Sequence, residues 1–114
     1  MVASAAGAVV LVRFPFSDLS QTKLRPAIVL ADAGRGDYIL CQITSKPYGD
    51  GSAIELDNPS FTFGSLRVTS YARPGKLFTA NQTLITSQVG TLKPDALRSI
   101  TQAVASILSA GKVP

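Results

Sequence analysis

The sequence predicts a mainly β protein: a small, strongly bent antiparallel sheet or barrel followed by one C-terminal helix. Three observations carry that reading. Short runs of apolar and β-branched residues recur between turns rich in Gly, Pro, Asp and Ser. Only one segment, near the C-terminus, shows the apolar period of a helix. The chain has 114 residues, 46% of them hydrophobic, which suits a single domain (1–114) with a real core.

The first expected strand is AVVLVRF (8–14). PFSDLSQTKLR (15–25) reads as a loop from its Pro, Ser, Asp and Thr content. It is longer than a tight hairpin needs, and loops of that size tend to be functional. PAIVLA (26–31) is the second strand, because Pro26 lacks an N–H and fits a strand's first residue. DAGRGD is a turn, and YILCQITS (38–45) is the third and most apolar strand. KPYGDGS is another turn, followed by the short strand AIEL (53–56) and the loop DNPSFTFGS.

LRVTSYA (66–72) reads as a half-exposed strand, with Leu66, Val68 and Ser70 alternating with Arg67, Thr69 and Tyr71. RPGK is expected to turn into a further strand, LFTA. TLITSQVG fits a short strand or a 3₁₀ turn. The helix is PDALRSITQAVASILSA (94–110). Pro94 suits the first turn, Asp95 favours the positive end, and Gly111 follows the last turn. Leu97, Ile100, Val104, Ile107 and Leu108 form an apolar stripe expected to pack on the sheet.

Eleven Lys and Arg against seven Asp and Glu give a net charge of +4. That balance favours polyanionic partners, either nucleic acid or an acidic protein segment. The absence of histidine removes the commonest general base, the Ser-His nucleophile pair and most zinc sites. Catalysis would have to rest on Arg, Lys, Tyr, Thr, Ser or a carboxylate. The longest apolar stretch, AAGAVVLV, is far too short for a bilayer, so no membrane partner is expected. The N-terminus lacks a basic n-region, and the single cysteine, Cys41, lies in an apolar strand. Both point to a reduced, cytoplasmic setting.

The segment FPFSDLSQTKLRPAIVL resembles the PemK/MazF family of type II toxins. The likeness continues in order through DYILCQITSK, RVTSYARPGKLFT and LKPDALRSITQAV, and so covers nearly the whole chain. No one of these motifs is specific; their joint order and spacing make the signal. The resemblance implies an SH3-like barrel of the CcdB/MazF type, acting as a homodimer in the cytoplasm. It implies a sequence-specific endoribonuclease that needs no metal or other cofactor. Such toxins cleave single-stranded RNA, messenger RNA among it, to 2′,3′-cyclic phosphate and 5′-hydroxyl ends. It also implies a cognate antitoxin whose acidic tail covers the RNA groove.

The family's catalytic arginine and threonine fall on Arg25 and Thr44. The ribose 2′-OH is the nucleophile, so the protein needs none of its own. A planar guanidinium can hold two phosphate oxygens and offset charge growing on them. A threonine hydroxyl can bond the 2′-OH or a phosphate oxygen, although it is a poor base. Lys23, Lys46 and Arg73 extend a basic path for the RNA backbone, with Ser20 and Ser70 as further RNA-binding candidates. Phe14 is the expected base-stacking ring, and Tyr71 is a weaker one. On their own these residues have bland readings: a surface arginine, a strand threonine, solvated lysines and core aromatics. Relatives often differ at Gly7-Ala8, SQTKL and Ser70-Tyr71, positions that bear on the RNA sequence recognised. Two alternatives remain open. One is a non-enzymatic toxin of the same fold that binds DNA gyrase. The other is an inactive member that binds RNA or antitoxin.

Overall fold

The computed structural model describes residues 5–15 and 22–113. Its strands are β1 (Ala8–Pro15), β2 (Thr22–Gly34), β3 (Asp37–Thr44), β4 (Ile54–Leu56), β5 (Phe61–Gly64), β6 (Ser70–Asn81) and β7 (Ile85–Leu92). Helix α1 (Pro94–Ala110) follows. The strands form one sheet in the order β4-β6-β3-β2-β1-β7-β5, antiparallel at every junction. The sheet curls into a half-barrel, the MazF-type architecture expected from the sequence.

The central strands are buried on both faces. Val9, Ile28, Cys41 and Ile43 pack with Ile100 of α1. Their sequence neighbours Val10, Ala27, Val29 and Leu40 pack with Ala80 and Ile85 on the other face. Double burial explains why β1 to β3 read as almost unbroken apolar runs rather than alternating ones. The helix spans the residues expected of it and ends at Gly111, whose left-handed backbone (φ 58°) places its N–H on the Ile107 carbonyl. Only the first half of its apolar stripe is covered: Ile100 is fully buried, whereas Leu108 is exposed. Among the described residues no helix is long and apolar enough to cross a membrane.

Four expectations need correction. β2 starts at Thr22, so Lys23, Leu24 and Arg25 lie within a strand and not in a loop. They pair with Phe14, Arg13 and Val12 of β1, and that ladder outweighs the loop-like composition. The DNPSFTFGS segment holds a 3₁₀ turn (Asn58–Ser60) and the edge strand β5. Residues 65–69 are irregular, so the alternation in LRVTSYA was not a strand signal there. RPGK does not turn the chain but sits inside β6 as a bulge. The β3–β6 register passes from Cys41↔Leu77 to Ile43↔Ala72, which sets Arg73, Pro74, Gly75 and Lys76 opposite Gln42 alone. A bulge tolerates Pro74, which has no N–H to give the ladder.

Cys41 stabilises that bulge by donating its thiol hydrogen to the Arg73 carbonyl at 3.3 Å. Burial pushes the thiol from 9.0 up to about 11. Because the folded value lies above the unfolded one, the protonated thiol contributes stability that is complete below pH 9.0. That contribution is lost as the pH rises to about 11. Denaturant unfolding of wild type and Cys41→Ala should therefore differ in their alkaline limbs. Wild type should lose roughly 2–3 kcal/mol more than the variant across that range.

Candidate functional site

The β2–β3 pairing ends at Ala27↔Gln42, and that register carried two residues further points Arg25 toward Thr44. Both are half-buried, and both line one open groove of about 270 Å³. The irregular 65–69 segment forms its other wall, bringing in Leu66, Arg67 and Val68. Among the described residues, three cations, Lys23, Arg25 and Arg67, line the groove and no carboxylate does. Exposed apolar surface lies between them, at Leu24 and Val68. Cations interleaved with apolar surface suit a ligand that is anionic along its backbone and flat elsewhere.

The Thr44 hydroxyl is oriented by its own chain. The Lys46 backbone N–H donates to Thr44 Oγ1 at 3.1 Å, while the hydroxyl lies 3.4 Å from the Lys46 carbonyl, too long for a strong bond. An N–H donating into the oxygen makes the O–H a better donor and a worse base. Ser70 also lines the groove, but it is buried and its hydroxyl donates to the Val68 carbonyl at 3.0 Å. It thus ties down the wall that carries Arg67.

The other sequence candidates fall elsewhere. Lys46 is exposed and is not among the lining residues; its backbone alone touches Thr44. Arg73 does not line the groove either, because its Nε donates to Asp50 Oδ2 at 2.8 Å. Tyr71 pairs with Thr44 across β3 and β6 without lining the groove. Ser20 and the side chain of Phe14 lie outside the described residues. Arg67 was missed, because assigning 66–72 to a strand made it one exposed charge in an alternating pattern. Its signal was a basic residue next to Gly64 and Ser65, small residues that mark a break in a strand.

Comparison with known proteins adds the family. Residues 5–108 match the family model described as the PemK-like, MazF-like toxin of type II toxin-antitoxin systems. The chain belongs to this toxin family. No curated protein matches it in sequence. A MazE–MazF structure from Deinococcus radiodurans is similar in fold, with a TM-score of 0.78 at 21% identity, covering 96% of this chain and 98% of that one. An endoribonuclease from a mycobacterial species, solved with its cognate antitoxin, aligns with a TM-score of 0.72 at 15% identity over 96% of both chains. The Mycobacterium tuberculosis toxin MazF-mt6 gives 0.70 at 14% identity, covering 90% of this chain and 96% of that one.

In this PemK/MazF member the Asp50–Arg73 pair ties the loop after Thr44 to the β6 bulge. Its hydrogen bond with Arg73 holds the Asp50 carboxyl below its ordinary 3.8. A depressed folded value contributes stability above pH 3.8 that is lost as the pH falls through that lower value. Asp50→Asn should accordingly be less stable than wild type at neutral pH. The gap should hold down to about pH 3.8 and narrow below it, as measured by thermal melts taken from pH 7 into strong acid.

Proposed function

We propose that this toxin is an endoribonuclease that cleaves single-stranded RNA by internal attack of a ribose 2′-OH. The observation that carries the reading is the convergence of Arg25 and Thr44 on one cationic groove that has no carboxylate among its described lining residues. In the step, the 2′-oxygen bonds to its neighbouring phosphorus and the P–O5′ bond breaks. The 2′ proton passes to solvent water, the O5′ takes a proton from water, and the products are a 2′,3′-cyclic phosphate and a 5′-hydroxyl. Arg25 grips the non-bridging oxygens, where negative charge grows in the phosphorane-like transition state. Thr44, made a donor by Lys46 N–H, bonds a phosphate oxygen rather than taking the 2′ proton. Lys23 and Arg67 hold the flanking phosphates. No step requires a metal or another cofactor.

The same groove suits an antitoxin with an acidic tail, which would bind where RNA binds. Complexes of MazF with MazE and of a mycobacterial endoribonuclease with its antitoxin are among the neighbours in fold. The working unit in this reading is a cytoplasmic homodimer that recognises a short RNA sequence and stops translation and growth. A gyrase-binding toxin would not need Arg25 and Thr44 together, so their shared groove favours the nuclease.

Arg25→Ala should lower cleavage of a long RNA by about 10²–10³ while keeping the thermal transition of wild type. An unfolded variant, or one with unchanged cleavage, would contradict the assignment. For binding of uncleavable RNA, Lys23→Ala should flatten the slope of log affinity against log salt by about 0.7. Titrations across a range of salt concentrations test this.

A further inference from the structure

A second depression adjoins the groove and differs from it in chemistry. It measures about 240 Å³ and shares the wall of Leu66, Arg67 and Val68 with the first. Its far side is Asp57, Asn58 and Pro59. The 3₁₀ turn at Asn58–Ser60 presents that side, and the Ser60 hydroxyl holds Asp57 Oδ1 at 3.0 Å. Among the described residues the groove beside Arg25 has cations and no carboxylate; here a carboxylate and an amide face Leu66, Arg67, Val68 and Thr69. A phosphate would meet repulsion from Asp57. A flat neutral group with hydrogen-bond donors on its edge would meet a matching acceptor and a surface to lie on. The volume is below that of an ordinary small-molecule pocket, in keeping with a single base.

We infer that this depression is the base-selecting subsite of the toxin and that it takes an amino-bearing nucleobase, guanine foremost. The inference rests on the RNA-cleaving reading for its ligand class. Guanine presents N1–H and N2–H₂ as parallel donors toward a carboxylate, with Asn58 beside it to complete the edge. Cytosine offers one amino donor to a carboxylate. Uracil carries a carbonyl on each side of its lone N–H, and both oxygens would face Asp57. Arg67, on the shared wall, grips the phosphate that joins the selected nucleotide to the one at Arg25. Cutting and reading are thereby assigned to neighbouring compartments, so that base preference can change without loss of the cutting pair.

The test uses uncleavable oligonucleotides, 2′-O-methylated at every ribose, in which one guanine walks along a uridine heptamer. Fluorescence anisotropy with wild-type protein should show one register bound about tenfold more tightly than all-uridine RNA, which corresponds to one good edge contact. Inosine at that register, lacking the 2-amino group, should lose part of the gain, and cytosine should fall between guanine and uracil. Asp57→Asn should erase the preference and raise all-uridine affinity, because the charge that repels phosphate and the uracil carbonyls is gone. Asn58→Ala, which spares the Asp57–Ser60 contact, should reduce it. No preferred register in wild type, or a preference that survives Asp57→Asn, overturns the subsite. Cleavage of long RNA by wild type is measured in parallel. Cleavage without guanine preference sinks the subsite alone; guanine preference without cleavage supports the subsite and sinks the nuclease reading.

Discussion

The antiparallel register of β2 against β3 is the constraint on which the candidate site depends. Ala27↔Gln42, Ile28↔Cys41 and Val29↔Leu40 are locked because Ala27, Ile28, Val29, Leu40 and Cys41 are each buried on one face or the other. A slip of one residue would exchange every side chain between the two cores, so the pairing has little freedom. Two residues past the last of these pairs, Arg25 and Thr44 bring a guanidinium and a hydroxyl to one groove. Pro26, which donates no ladder hydrogen bond, stands next to Arg25 where the paired part of β2 and β3 ends. The rigid centre of the sheet therefore sets the geometry of the polar end. Placing functional groups on well-packed strands is the arrangement that best preserves such geometry.

Around this pair the chain builds its walls from less regular pieces. The β6 bulge exists because Arg73, Pro74, Gly75 and Lys76 face Gln42 alone, and a buried thiol satisfies a carbonyl within it. The same bulge aims Arg73 at Asp50, so the loop that follows Thr44 is held from behind. Segment 65–69 closes the other side, tied down through Ser70 and the Val68 carbonyl. Charge is sorted along with shape. Among the described residues, cations collect where Arg25 and Thr44 meet, and a carboxylate, Asp57, lines the depression past Arg67.

Much of this was legible in the sequence. The apolar runs of β1 to β3 and the helix with its Pro94 start and Gly111 stop are strong local signals, and α1 matched its expected bounds. Arg25 and Thr44 were reached through resemblance, since neither a strand arginine nor a strand threonine stands out alone. What stayed hidden depended on contacts distant in the chain. β1 pairing draws residues 22–25 into a strand despite their loop-like composition. The partner strand absorbs RPGK as a bulge although Pro-Gly ordinarily signals a turn. Arg73 looked like a backbone contact until Asp50, 23 residues earlier, proved to be its partner. Arg67 was hidden by an apparent alternation that the fold does not use.

The central claim is that Arg25 and Thr44 act as one unit on one scissile phosphate. A double-mutant cycle on cleavage rate tests it most directly, using Arg25→Ala, Thr44→Val and the pair, with product end groups verified for each protein. The account predicts strong non-additivity, with the double variant little slower than Arg25→Ala alone, because groups sharing one transition state do not contribute independently. Strictly multiplicative effects, or a Thr44→Val protein as fast as wild type, would contradict it.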